Sequence, residues 1–510
     1  MRYPPGQAGR YLWRVIHGLI VLAEAILIIA GVGGAILAWR LSRGPIDLPW
    51  LTARIQESAD RQVAPRRLVI GSSALAWEGF RQGLQSPLDI RLTDIWLFDR
   101  AGARELNIPS AGLTVSVSAL LGGRIEPRSL YLDRPTVIVQ RAADGSLSLR
   151  PADQPPRGDG GGIRAPALDA IVQELARPPG SDVGGARTDL LNQVRRLVIH
   201  DAAVKVVDAA EGVTWQASAV QLDLSRVLQG GVGGTASAVL HLGSQEMRIS
   251  ASLDLPPNGD SAQLKARFSP IVPAALAGTM PALSPLAVVD APVSGEVVAA
   301  FGPGVTPFET HVSMEAGPGT LQIGADAVPI SAAALVASGT MARVALHSLR
   351  VVVPDPGGRA PTTLEASGVV SRSDPGRIAA QLAVALDHVA FADLPALWPK
   401  GIGPDLRSWI VTNVTSGLAH DGHFEIEGTS GPGLSDVALS RAVGSLQGDG
   451  LTVHWLRPVP PVVQAHVELR LLDPDTVELD ATSGRQAREA SGGDTLELQG
   501  VQMRVTGLLR

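Results

Sequence analysis

The sequence predicts a mainly β protein: an N-terminal transmembrane helix followed by a long antiparallel sheet with a few short helices. Three observations lead there. One apolar run near the start is long enough to cross a bilayer. Most of the remaining chain is short Val, Leu and Ala alternation broken by turn dipeptides. Very few stretches carry the caps and spacing of a helix, the clearest being Leu394 to Gly417. At 510 residues the chain exceeds what one compact core supports.

The first element is "VIHGLIVLAEAILIIAGVGGAILAW", Val15 to Trp39, interrupted only by His17 and Glu24. At about 1.5 Å per residue it exceeds the roughly 30 Å hydrocarbon layer, so a tilted span fits. It is longer than a signal-peptide core and runs straight into "ILAWR", as a retained anchor does. Arg2, Arg10 and Arg14 before it, against Arg40 and Arg43 after it, lean toward a cytoplasmic N-terminus. Trp13 and Trp39 suit the two interfaces. Glu24 is either a polar contact or protonatable site within the span, or a neutral, hydrogen-bonded residue in a tolerant anchor. Ala30, Gly34 and Ala38 form a small-residue stripe that suits another membrane helix.

A juxtamembrane helix, "WLTARIQESADRQ", is expected next, and strands begin at "RRLVIGSSALAWEG". Asp144-Gly145, Glu211-Gly212, Asn258-Gly259 and Asp421-Gly422 read as hairpin turns. Residues 151–188 shift to Pro and Gly, a linker holding one short helix, "ALDAIVQELA". The expected organisation is therefore 1–14 as a cytoplasmic N-terminus, 15–39 as the anchor, and 40–150 as a first β module. The linker at 151–188 leads to repeated strands over 189–430, with a helix at 404–414, and further strands occupy 431–510.

An internal repeat spans the linker. "LYLDRPTVIVQRAADGSLSL" from Leu130 aligns without gaps to "LVIHDAAVKVVDAAEGVTWQ" from Leu197, with a looser echo at "LTDIWLFDRAGARELNI". Each copy enters as Leu-x-Leu/Ile, passes a short kink and returns after an acidic-Gly turn, and such units need neighbours to bury their apolar faces. The alternating strands "AGLTVSVSALL", "SAVLHLG", "ISASLDL", "LTVHWL" and "AHVELRLL" put aliphatics on one face and polar residues on the other. Either a second sheet covers that aliphatic face or it stays open.

The helix at 404–414 starts with Pro404, where a missing N–H costs nothing. Leu406, Trp409, Ile410 and Val414 form one stripe, and Gly417 is expected to close it.

Chemistry is scarce. There is no cysteine, which removes disulfides, thiolate metal sites and cysteine nucleophiles. Lysine occurs only at Lys205, Lys265 and Lys400, and no basic–aromatic run suggests nucleic acid. "GGVGGTAS" lacks the lysine of a phosphate loop, and no nucleophile elbow, zinc-helix or calcium-loop motif occurs. "HDGH", His420 to His423, flanks an expected two-residue turn but has no clear third metal ligand, and reads as a surface hairpin. Neither catalysis, nor a cofactor, nor a metal is expected.

Two segments carry a family resemblance. "GSSALAWEG…LDIRLTDIWLFDRAGARELNIPSAGLTVSVSALLGGRIEPRSLYLDRPTVIVQRAADGSLSL" resembles the N-terminal module of the AsmA-like family of Gram-negative envelope proteins. "LPALWPKGIGPDLRSWIVTNVTSG" is similar to the signature of its YhdP-like branch, with Trp398, Pro399, Arg407, Trp409, Asn413 and Gly417 at the matching positions. The resemblance implies a bridge-type lipid transporter of the inner membrane, single-pass, with most of the chain periplasmic. Its long curved sheet would form an apolar groove carrying phospholipid acyl chains toward the outer membrane. Partners would be phospholipids, the inner membrane, other membrane helices and outer-membrane components. Members of this branch are longer, so a chain ending at "QGVQMRVTGLLR" is expected to be a fragment or to lack the end that meets the outer membrane. The residues expected to face the groove are Leu130, Leu132, Val137 and Val139, with Leu197, Ile199, Val204 and Val206. The alternatives are an assembly factor that chaperones outer-membrane proteins by strand addition, and an envelope hydrolase using His420 and His423.

Overall fold

The computed structural model describes residues 17, 32–33, 39–40, 43–53, 55–56, 67–77, 88–98, 104–115, 127–141, 147–150, 194–208, 213–227, 231–243, 245–257, 261–277, 281–301, 307–340, 342–355, 357–374, 377–431, 436–487 and 495–506. The expected span at 15–39, with Glu24, and the linker at 151–188 lie outside them, apart from a few isolated positions of the span. Among the described residues, no helix is long and apolar enough to cross a membrane.

Among the described residues the fold is mainly β, with 24 strands in one mixed sheet and three in a small antiparallel one. The chain forms two compact units: residues 1–138 with 148–203 and 223–226, and residues 139–147, 204–222 and 227–510.

In the first unit, β1 (Ile46–Asp47), β2 (Arg67–Trp77), β3 (Leu88–Phe98), β4 (Arg104–Val115) and β5 (Pro127–Asp133) pair antiparallel in chain order. β6 (Thr136–Arg141) continues β5 beyond a kink, and β7 (Leu147–Arg150) precedes the linker. β8 (Arg196–Asp208) then lies parallel to β5. This corrects the expected all-antiparallel sheet. Parallel neighbours need a connection of a dozen residues or more to return the chain to the same end, and the stretch between β7 and β8 has that length.

The strands of this unit share one irregularity. Inward-facing residues sit two apart, skip three, then resume: Leu68, Ile70, the buried Ser73 and Leu75 on β2, and Ile90, Leu92, Ile95, Leu97 on β3. The skip passes over Gly71 and over Asp94, whose φ is 52°. A Cβ on Gly71 would lie 2.8 Å from the Asp94 Cβ, so only glycine fits opposite the kinked residue. Arg134 (φ 51°) and Asp201 (φ 53°) occupy the same place in the two repeat copies. Asp tolerates this left-handed conformation better than most residues, since its short side chain bonds locally. Each kink reverses the inside–outside parity, so the aliphatic face continues across it. Ile70, Ile95 and Ala111 accordingly form one buried cluster with Leu68, Leu92, Ile108 and Leu132. The helical residues 49–53 and 55–56 cover part of this face, burying Leu51 against Ile90 and Val115. Burial of one such side chain stabilises by about 1.5–3 kcal/mol.

The second unit is an antiparallel meander. It holds the second halves of β6 and β8 and part of β9 (Val213–Arg226), then β10 (Val232–Leu242), β11 (Gln245–Leu255), β12 (Ala262–Ile271), a short helix α1 (Pro273–Ala277) and β13 (Val289–Asp290). Next come β14 (Val293–Phe301), β15 (Pro307–Ala316), β16 (Gly319–Ile323), β17 (Asp326–Ile330), β18 (Ala332–Gly339), β19 (Arg343–Val353), β20 (Thr362–Asp374) and β21 (Arg377–Ala390). Helices α2 (Leu394–Leu397) and α3 (Pro404–Asn413) precede β22 (Val414–Ser430), β23 (Ala438–Val453), β24 (Val462–Asp473), β25 (Thr476–Ala487), β26 (Thr495–Leu498) and β27 (Val501–Thr506). β13, β16 and β17 form the small sheet.

Two local expectations need correction. Asp421-Gly422 is not a hairpin turn: it lies inside β22, where Asp421 (φ 53°) kinks a continuous strand. Gly417 does not close α3, which passes directly into β22 at Val414. Its φ of 111° bends that strand against Leu451.

Candidate functional site

The hairpin registers of the second unit align one row of side chains across fourteen strands. Ala238 pairs with Ile249, and the row continues through Phe268, Gly295, Met314, Leu335, Leu349, Ala366, Val384, Phe424, Gly444, Leu471, Val477 and Val505. Every member is apolar or glycine. On the opposite face the adjacent row runs Glu315, Ala334, Arg350, Glu365, Ala385, His423, Ser445, Arg470, Glu478, Arg504. Successive side chains of a strand point to opposite faces, so the sheet is greasy on one side and charged on the other.

The charged face is held by ion pairs. Glu296 accepts from Arg267 at 2.5 Å and lies 2.7 Å from the Lys265 ammonium. These cations, Lys265 foremost, hold its carboxyl below the ordinary value. Arg350 pairs with Glu365, and Arg504 with Glu478. Exposed pairs of this kind add little stability each but keep that face wet.

The apolar face is packed without being sealed. Along β11 burial alternates between half-buried and exposed, and none of its residues is fully buried. Phe268, Val297, Val312, Leu335, Leu349, Leu382 and Phe424 likewise keep solvent-accessible surface. A second sheet stacked on this face would remove that exposure.

At one end the face passes beneath α3 and encloses a cavity of about 220 Å³. Its floor includes Leu446, Leu469, Leu479 and Met503, a cross-strand row from β23 to β27. Trp409, Ile410, Val414 and Phe391 cover it, and Trp455 and Val501, both about half exposed, stand at its rim.

The signature residues build that cover. Arg407 donates from Nε to the Trp398 carbonyl at 2.7 Å and from Nη2 to the Pro395 carbonyl at 2.8 Å, capping α2. Trp398 Nε1 donates to the Ile402 carbonyl at 2.7 Å, and Pro399 is buried beside it. Asn413 donates from Nδ2 to the Trp409 carbonyl at 2.9 Å, finishing α3. A Cβ on Gly417 would sit 2.4 Å from Leu451 Cδ2, so the bend admits glycine alone. The expected stripe is present: Ile410 and Val414 are buried, and Leu406 and Trp409 pack against them.

Of the residues expected to face the groove, Leu130 pairs directly with Leu197 and Leu132 with Ile199. Leu132 also joins the Ile70 cluster. Val137 and Val139 lie on β6, and Val204 and Val206 on the second half of β8, all half-buried. The long row at β10–β27 was not singled out residue by residue in the sequence. Its signal there is the alternation in "SAVLHLG", "ISASLDL" and "AHVELRLL".

His420 and His423 do not converge. His420 bonds Asp421 and Asp449, while His423 Nδ1 lies 3.1 Å from the Asp421 carbonyl. Among the described residues, no group of His, Asp or Glu is arranged to hold a metal ion.

No protein-family model, curated protein or solved structure matches the chain.

Proposed function

We propose that this chain is a lipid-transfer protein of the AsmA-like kind, YhdP-like branch, anchored by residues 15–39 in the inner membrane of a Gram-negative bacterium. Most of it stands in the periplasm. It carries phospholipid acyl chains along its aliphatic face toward the outer membrane, supports envelope integrity and performs no catalysis.

One observation supports this reading above the rest: the unbroken apolar row over fourteen strands, incompletely covered, with a charged row behind it. An acyl chain needs continuous aliphatic contact and no specific polar partner, and each methylene transferred from water contributes about 0.8 kcal/mol. The few aromatics leave the face smooth.

The test is a photo-crosslinking amino acid placed in cells at Val297 and Leu479 on the apolar face, and at Glu296 and Glu478 on the charged face. Phospholipid adducts are expected at the first pair and not at the second. Adducts absent from both apolar positions would count against the reading.

The second reading, strand addition for outer-membrane proteins, draws on the exposed Leu496 and Val501 at β26 and β27. It predicts polypeptide adducts at those two positions in the same experiment.

A further inference from the structure

Behind the cavity wall, on the charged side, lies an unusual histidine. His420 has a carboxylate at each ring nitrogen: Asp421 Oδ2 is 2.9 Å from Nδ1, and Asp449 Oδ2 is 3.1 Å from Nε2. Asp449 turns its other oxygen to His466 Nδ1 at 2.6 Å. A neutral imidazole has a single N–H, so only the doubly protonated ring can donate to both carboxylates. The chain His420–Asp449–His466 therefore ties β22 to β23 and β23 to β24.

The ties sit where those strands are least regular. β22 shifts register between His420 and His423, β23 between Gly448 and Leu451, and β24 between Val463 and His466. Asp421, Gly450 and Gln464 all have positive φ. Backbone pairing is thus interrupted on three adjacent strands at one place. Neighbours of the tied residues form the cavity wall: Gly448 and Leu451 flank Asp449, and Ala465 and Val467 flank His466.

We propose that His420 is a proton-operated clasp on this wall: doubly protonated it closes the β22–β23–β24 seam, and singly protonated it frees one carboxylate and lets the cavity exchange its occupant faster. The claim about occupancy rests on the acyl-carrier reading, whereas the claim about the seam does not.

The electrostatics agree. Asp421 first, then Asp449, raises the affinity of His420 for its second proton, and its partly accessible ring leaves a route for that proton. A raised value means that the clasp is complete below the ordinary histidine range near pH 6.5 and is lost as pH rises through the higher folded value. Titratable groups facing it from β21 are His388, its cross-strand partner, and the neighbouring Asp387. His423 lies on its own strand, and Arg485 and Glu497 flank His466 in a shared groove. His388 bonds Asp387 and the Ala360 carbonyl rather than the clasp.

The test uses the full chain and two readouts. Hydrogen exchange is compared between wild type and His420→Gln at matched pH, from about pH 5.5 to about pH 9. Gln has a single donor nitrogen and no proton that titrates in this range, so it cannot place an N–H at both ring-nitrogen positions. Amides of residues 419–421 and 447–450 should exchange about tenfold or more faster in the variant at the acidic end, the scale of one charge-assisted hydrogen bond, with the difference vanishing at the alkaline end. A difference independent of pH, or none at all, overturns the clasp. Release of a bound fluorescent fatty acid should quicken with pH in wild type and be uniformly fast in His420→Gln. If exchange behaves as expected but the fatty acid never binds, the clasp stands and the acyl-carrier reading falls. If it binds and leaves at a pH-independent rate, the proposed gating is overturned.

Discussion

Leu130 and Leu197 are direct partners on two adjacent parallel strands, and the offset between them is the offset that aligns the two copies of the internal repeat. Equivalent residues thus lie side by side: Leu132 beside Ile199, and Asp133 beside His200. The kink residues Arg134 and Asp201 match as well, and the Arg134 amide donates to the His200 carbonyl at 2.8 Å. Aligned kinks allow neighbouring strands to bend together without breaking their ladder.

This register is directly testable, because the chain has no cysteine to interfere. Leu130→Cys with Leu197→Cys should form a disulfide under mild oxidation, since paired strands bring Cα atoms within reach of an S–S bond. Leu130→Cys with Val206→Cys should not. Equal cross-linking of both pairs, read as a gel shift, would remove the parallel register.

Gly417→Ala should destabilise the second unit by about 2–4 kcal/mol, combining a φ of 111° with a Cβ driven into Leu451 and the Asp449 carbonyl. Gly450→Ala, where φ is also positive but the surrounding space is open, should cost only about 1–2 kcal/mol. Thermal unfolding compares the two, and equal losses would show that packing at Gly417 is unimportant.

Arg407→Lys keeps the charge and loses the fork that reaches two carbonyls at once. A loss of about 1–2 kcal/mol is expected, with faster exchange of amides around residues 395–402. Full stability in the lysine variant would mean that charge alone suffices at this position.

Much of this was legible in the sequence, for identifiable reasons. α3 was readable over nearly its whole length because Pro404 and the Leu406–Trp409–Ile410–Val414 stripe are local signals. The kink in each repeat copy was readable and falls at Arg134 and Asp201, but the one at Asp421 was not, since Asp421-Gly422 has the composition of a turn and only pairing on both sides of β22 keeps it inside a strand. The parallel β5–β8 pair was hidden for a related reason: strand direction depends on where the chain returns, which no short stretch encodes. The fourteen-strand row depends on the register of each hairpin in turn. Alternation within one strand says which residues share a face and leaves their cross-strand neighbours undetermined.

The two faces should respond differently to the same change in charge. Leu479→Glu, on the cavity floor, should abolish acyl-probe binding at about the cost of burying an unpaired carboxylate. Glu478→Ala, one residue away on the charged face, should leave binding within about twofold. Equal losses in a fluorescence titration would show that binding does not use the aliphatic face. Crosslinkers at Val139 and Val206 extend the comparison to the repeat, where lipid adducts are expected at both positions.

Native mass spectrometry of the full chain, gently released from membranes and then solvent-extracted to recover its cargo, tests the central claim most directly. The account predicts phospholipid bound in wild type, at more than one copy per chain and strongly reduced by Leu479→Glu. Protein that is free of lipid, or that carries the same lipid load in the Leu479→Glu variant, would contradict it.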